Sequence, residues 1–288
     1  MAEQQLAWTL QDGRLAGTLL LPEGAGPWPA VLLIGGSGPT DRDGNNLLLP
    51  APIDNLKRLA QELAGRGIAS LRFDKRGVGA SVFPGLSEQA LRFDHLVDDA
   101  VLLARHLADD ARITRVTLIG HSEGALVAAL AADAAGAQGV VSLSGAGCSV
   151  PTLMREQFEA SLPDDLVQPA LATLAALEAQ QLVPDVPESL VLLFRPTVQP
   201  YLVSWFRHDP PQVLAQLHAP VLVVHGAADA QVPPQHAQWL QAGRPDARVK
   251  IVDGMDHLLA IGGDIPAGAK AVAREVAEWM REMADVAA

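Results

Sequence analysis

Two stretches near the start of the chain, residues 6–10 and 15–21, are rich in apolar residues and are separated by Asp12-Gly13. That dipeptide favours the positive backbone angles of a tight turn, so an N-terminal antiparallel hairpin is expected. A Pro/Gly stretch over 22–29 then punctuates the chain. Beyond it, short apolar runs alternate with helical patterns: strands are expected over 30–34, 69–73, 116–119 and 140–143, and helices over 53–64, 93–107 and 123–132. Apolar runs this short, bounded by turn residues, suit strands covered on both faces. The alternation therefore predicts an α/β fold, a mostly parallel twisted sheet with helices on both faces.

The rhythm breaks after Gly147. Residues 149–213 are helix-rich but cut by Pro151, Pro163, Pro184, Pro187, Pro196, Pro200, Pro210 and Pro211. Proline ends or kinks helices, so short pieces are expected there. The pattern resumes with strands over 221–224 and 249–252 and helices over 236–242 and 269–283. We read residues 1–288 as a single domain, with 149–213 inserted as a helical cap over the carboxyl edge of the sheet. A chain of 288 residues, 49% hydrophobic, fills one sizeable core. With aromatics at only 4%, the apolar mass is chiefly Ala, Leu and Val, which lets helices lie close to the sheet.

Charge narrows the partners. Lys and Arg total 21 against 33 Asp and Glu, a net charge of −12, and no stretch gathers the basic residues. Nucleic acid and anionic membranes are excluded as partners, since both draw on clustered positive charge. Cys148 is the one cysteine, so no internal disulfide forms. Residues 1–5 show no basic region ahead of an apolar core, and no apolar run reaches the length of a membrane span; a cytoplasmic location is expected. Asp41-Arg42-Asp43-Gly44-Asn45 opens like a calcium loop, but Asn46 stands where glycine is needed and Pro52 where glutamate is. Gly77-Val78-Gly79 lacks the third glycine of a dinucleotide loop, Val82 standing there, and no P-loop or zinc signature occurs. No metal or cofactor is expected. The oligomeric state leaves no mark in the sequence.

Candidate chemistry centres on Gly120-His121-Ser122-Glu123-Gly124, directly behind the strand over 116–119 and ahead of the helix that follows. A strand turning abruptly into a helix strains its corner residue and leaves its hydroxyl exposed at the helix's positive end, a position that suits a nucleophile. A serine needs an imidazole to take its proton and a carboxylate to orient that imidazole. The loop after strand 221–224 offers Asp229, and the loop after strand 249–252 offers His257, with Asp253, Asp256 and His236 as weaker candidates. An oxyanion site needs two backbone N–H groups: that of Glu123 and one from Gly35-Gly36-Ser37-Gly38-Pro39, where Ser37 is the first choice and Gly36 the alternative. Met154, Phe158, Phe194, Tyr201, Trp205 and Phe206 are candidate substrate-pocket walls. Glu123, Arg42 and Arg76 are expected to form a charge network beneath the elbow.

Taken together, the chain resembles the α/β-hydrolase superfamily. The order Ser122, Asp229, His257 is that fold's order, Asp74-Lys75-Arg76-Gly77-Val78-Gly79-Ala80-Ser81 is similar to its Asp-x-Arg-Gly-x-Gly-x-Ser turn, and residues 36–45 resemble the oxyanion loop of a bacterial carboxylesterase branch that also carries Gly-His-Ser-Glu-Gly. The resemblance implies hydrolysis of small to medium, mostly uncharged carboxylic esters through an acyl-enzyme on Ser122. A peptidase, thioesterase or acyltransferase would use the same triad. Many superfamily members have His-Gly ahead of the oxyanion residue; this chain has Gly35-Gly36.

Overall fold

The computed structural model describes residues 1–46 and 51–287. Eight strands form one sheet: β1 (Ala2–Thr9), β2 (Arg14–Leu21), β3 (Trp28–Ile34), β4 (Ala69–Phe73), β5 (Ile113–His121), β6 (Gly139–Leu143), β7 (Val221–Gly226) and β8 (Arg248–Val252), in the order β1-β2-β4-β3-β5-β6-β7-β8. The first two strands form the expected hairpin, and β2 also pairs antiparallel with β4, while β3 to β8 run parallel.

The alternation of side chains along each strand divides the core into two layers. In β3, Ala30, Leu32 and Ile34 face one layer and Val31 and Leu33 the other; in β7, Val221 and Val223 oppose Leu222 and Val224. The first layer is covered by α2 (Phe93–Ala108), α3 (Glu123–Ala135) and α9 (Gln235–Gly243), the second by α1 (Asn55–Ala64) and α10 (Ile265–Ala287). Burying each such Leu or Val side chain contributes about 1.5–3 kcal/mol. Helix α3 runs three residues past its expected end because Gly136, at φ 66°, supplies the left-handed turn that closes it.

One expectation needs adjusting. The sequence predicts the first strand over 6–10, whereas β1 runs from Ala2 to Thr9. It lies at the sheet edge, where exposed and half-buried residues alternate. Backbone pairing with β2 from Ala2 to Thr9 holds it, and that pairing leaves no apolar run to read.

Between β6 and β7 the chain builds α4 (Val150–Ser161), α5 (Asp164–Glu178), α6 (Val191–Phe194), α7 (Gln199–Trp205) and α8 (Pro210–Gln216). Phe158, Leu174, Leu177, Leu190, Phe194 and Leu202 form a small core of their own there, separate from the two layers. Helix α8 instead sends Leu214 into the layer shared with α3 and α9. No helix among the described residues is long and apolar enough to cross a membrane.

The strand order places the site. From β3 the sheet grows to one side through β4 and to the other through β5, so the loops leaving β3 and β5 diverge and open a crevice at their carboxyl ends.

Candidate active site

At the end of β5 the chain turns at Ser122, whose φ of 55° and ψ of −119° lie outside the regions a side chain ordinarily tolerates. Two glycines make the turn possible. A Cβ on Gly120 would sit 1.8 Å from Gly124 O, and one on Gly124 would sit 2.4 Å from Ile34 O. The corner is fixed by the Ser122 N–H, which donates to Leu143 O at 2.9 Å, and α3 begins at the next residue.

The other two groups arrive on adjacent loops. Gly226 ends β7, and a Cβ there would lie 2.1 Å from Met255 O, so only glycine lets the loop carrying Asp229 pack on the loop carrying His257. The N–H groups of Ala227 and Ala228 donate to Val252 O and Met255 O, both at 2.9 Å, and stitch the two loops together. His257 Nδ1 lies 2.8 Å from Asp229 Oδ2, and His257 Nε2 lies 3.1 Å from Ser122 Oγ. A carboxylate only accepts, so Nδ1 carries the hydrogen and Nε2 is left to accept from the serine hydroxyl. Burial pushes the Asp229 carboxyl up, but the His257 hydrogen bond and charge, the Val232 N–H at 2.8 Å and nearby His225 together hold it below the usual carboxylate range. Asp253 is exposed, and Asp256 spends its Oδ1 on the N–H groups of Leu258 and Ala260, shaping the loop that presents His257.

Neither His121 nor His236 joins its side chain to this relay. His121 Nε2 donates to His257 O at 2.7 Å, and burial, reinforced by His257, pushes its pKa down to about 4. His236 faces Cys148 and Glu156, which together offer ligand atoms within 4.8 Å of one another. His236 Nδ1 accepts the Gly147 N–H at 3.0 Å, and its Nε2 lies 3.4 Å from a Glu156 carboxylate oxygen.

Gly36 brings the loop after β3 against the elbow: a Cβ there would lie 3.3 Å from Ser122 Cβ. Ser37, Ser122 and Glu123 face one cavity. Thr40 Oγ1 and Asn46 Nδ2 donate to Ser37 O at 3.0 and 3.1 Å, and Arg42 clips the loop to Asp74 with Nε–Oδ1 and Nη2–Oδ2 contacts of 3.0 and 2.6 Å.

The expected Glu123, Arg42 and Arg76 network does not form. Arg42 pairs with Asp74, Arg76 pairs with Asp99 and Asp12, and Glu123 pairs with Lys75 at 2.6 Å. Asp74, Lys75 and Arg76 leave the end of β4 in succession and find partners on different elements, so one motif feeds three separate ion pairs. Glu123 Oε1 also accepts from the Tyr201 hydroxyl at 2.5 Å. Burial and the adjacent carboxylate hold that phenol well above its ordinary pKa, so it stays a donor.

The cavity above Ser122 has a volume of about 990 Å³. Of the six expected wall residues, Met154, Tyr201 and Trp205 line it. Phe158 and Phe194 instead meet edge to face at 5.8 Å inside the core of the inserted segment, and Phe206 packs against that same core. Much of the wall was missed: Leu126 and Ala129 of α3, Leu214 of α8, Leu240 of α9 and the α6 residues Val191 to Leu193. Aliphatic residues of covering helices carry no sequence sign of lining a cavity rather than a core.

Residues 53–262 match the family described as serine aminopeptidase, S33. That range takes in well over half of the chain, and the chain belongs to this family of α/β-hydrolases. It is 28% identical over 282 residues to Esterase EstD of Thermotoga maritima, a match covering 92% of this chain and 65% of that protein; the chain thus spans just under two thirds of that relative's length. Two solved structures have the same fold: Est1E from Butyrivibrio proteoclasticus with ferulic acid bound (TM-score 0.68, 16% identity, 97% of this chain and 99% of that one) and the proline iminopeptidase of Mycobacterium smegmatis (TM-score 0.68, 18% identity, 99% and 100%).

Proposed function

We propose that this protein is a serine hydrolase that cleaves carboxylic esters of small to medium, mostly uncharged substrates, with Ser122, His257 and Asp229 as its catalytic triad and residues 149–213 as a cap that shapes the substrate site. The observation that carries the reading is the unbroken chain Ser122 Oγ, His257 Nε2, His257 Nδ1, Asp229 Oδ2, with links of 3.1 and 2.8 Å, opening on a largely aliphatic cavity.

In this reading His257 takes the hydroxyl proton as Ser122 Oγ attacks the ester carbonyl, and Asp229 stabilises the imidazolium that forms. The N–H groups of Ser37 and Glu123 receive the negative charge on the carbonyl oxygen, aided by the positive end of α3. His257 then gives its proton to the departing alkoxide, leaving an acyl group on Ser122. Water, deprotonated by the same imidazole, releases the acid and restores the serine. No cofactor is required.

The charges around the cavity favour an ester over an aminopeptidase substrate. A free amino terminus needs an uncommitted carboxylate to receive it. Glu123 is held by Lys75 and Tyr201. Glu88 is held by Arg195 and Thr197, and the Arg195 guanidinium keeps its carboxyl below the usual range. Glu188 also lines the cavity but is exposed, where water screens its charge. The names of Esterase EstD and Est1E point the same way. The family description and the iminopeptidase likeness make peptide cleavage the second reading.

A fluorophosphonate probe and a substrate panel test this. Labelling confined to Ser122, with short-chain p-nitrophenyl esters turned over far faster than aminoacyl p-nitroanilides, is expected. Unlabelled folded protein, or anilides preferred over esters, would remove the esterase reading.

A further inference from the structure

Lys75 is the one buried lysine among the described residues, and it donates to two acceptors: Gly36 O at 2.5 Å and Glu123 Oε2 at 2.6 Å. A buried ion pair is a weak source of stability, because desolvating both charges offsets much of their attraction. Its acceptors suggest another purpose. Under the proposed reading, the two donors to the substrate's oxyanion are the N–H groups of Ser37 and Glu123. Gly36 C=O and Ser37 N–H are the two ends of one planar peptide, so fixing the oxygen fixes the direction of the N–H. A cation on that oxygen also polarises the peptide and strengthens its N–H as a donor. The second acceptor is the side chain of Glu123 itself. Its other oxygen is satisfied by Tyr201 from α7, so the carboxylate has no freedom to swing toward the reacting carbonyl.

We infer that Lys75 is a positioning residue for the oxyanion site: its single ammonium holds the Gly36–Ser37 peptide and the Glu123 side chain together, so that the two backbone donors converge on one point. This rests on the acyl-transfer reading and adds a group that acts through those donors. Lys75 leaves β4, Gly36 follows β3 and Glu123 follows β5, so the ammonium ties together loops from neighbouring strands on both sides of the crevice.

Lys75→Met removes the charge and keeps the length of the side chain. With p-nitrophenyl butyrate, kcat is expected to fall about 10²–10³-fold, the usual cost of losing an oxyanion donor, while KM stays within about threefold. The acid limb of the pH–rate profile should not move. Affinity for an aliphatic trifluoromethyl ketone, which forms an oxyanion on Ser122, should fall by the same factor as kcat/KM. Lys75→Met/Glu123→Gln removes both charges together, so that no carboxylate is stranded, and should show the same loss; it is also the fallback if the single variant does not fold.

A double variant within about threefold of wild-type kcat would overturn the role of Lys75, as would a displaced acid limb, which marks general distortion of the site. A wild-type protein that neither cleaves the ester nor takes a fluorophosphonate on Ser122 would instead sink the acyl-transfer reading. The two failures are therefore distinguishable.

Discussion

The sheet framework and the inserted helices α4 to α7 are built on different principles. Strands β3, β5 and β7 are buried on both faces, and the loops at their ends are locked by close backbone approaches at Gly120, Gly124 and Gly226. The inserted helices share a small core of their own and meet the framework at one aromatic cluster, where Phe93 stacks on Trp205 and meets Tyr201, and at polar contacts: Tyr201 with Glu123, Ser204 with the Phe93 N–H, Arg207 with Asp94 and Arg195 with Glu88. A reacting geometry needs atoms held to a fraction of an ångström, which dense packing supplies. A substrate wall needs only shape, and the exposed pairs made by Arg195 and Arg207 are weak enough to be remade. On the proposed reading, chemistry falls to the framework and selectivity to the insertion.

The largest expected effect lies in the framework. Ser122→Ala should reduce ester turnover by about four to six orders of magnitude while leaving ground-state ligand affinity near that of the wild type, measured by steady-state kinetics and competitive inhibition. A loss of binding equal to the loss of turnover would mean that the elbow serves substrate recognition instead.

Leu174→Ala probes the other region. Leu174 is fully buried in the insertion's core, so its truncation should cost about 2–5 kcal/mol. Hydrogen exchange should speed up in α4, α5 and α7 while β3, β5 and β7 keep their protection, and Ser122 should still take the fluorophosphonate. Equal loss of protection in both regions would erase the distinction between them.

A pH test addresses a buried histidine of the framework. His121 has its pKa pushed from 6.5 to about 4 in the folded state. Between those values the unfolded chain binds a proton that the native one does not, so acidification lowers stability, by about 3 kcal/mol near the lower end of the window. Above 6.5 His121 contributes nothing to the pH dependence. His121→Gln should flatten the urea-unfolding stability curve across this window, and an unchanged slope would refute the assignment.

The smallest effect is expected where the regions meet. Tyr201→Phe deletes one hydrogen bond to Glu123 and should lower kcat/KM about tenfold or less. A loss as large as that of Lys75→Met would show that the insertion takes part in assembling the oxyanion site rather than resting on it.

The sequence was most legible where backbone geometry is local. The hairpin at Asp12-Gly13, the parallel strands and the break after Gly147 follow from turn residues and apolar periodicity, and the fold has all of them. The loops carrying Ser122, Asp229 and His257 could be chosen because each leaves its own strand, and those side chains lie within hydrogen-bond reach. What was illegible depends on direction in space. Neighbouring Lys75 and Arg76 diverge to different carboxylates, which no spacing reveals, so Glu123 was assigned the wrong cations. Phe158 and Phe194 are expected as pocket walls, yet a small helical unit needs large side chains to fill its own core first.

The central claim is that acyl transfer runs through Ser122. Mass spectrometry of protein quenched during turnover of a slowly hydrolysed p-nitrophenyl ester tests it most directly. The account predicts an added mass equal to one acyl group on the peptide carrying Ser122, absent from Ser122→Ala. An acyl group on another residue, or sustained turnover by Ser122→Ala, would contradict it.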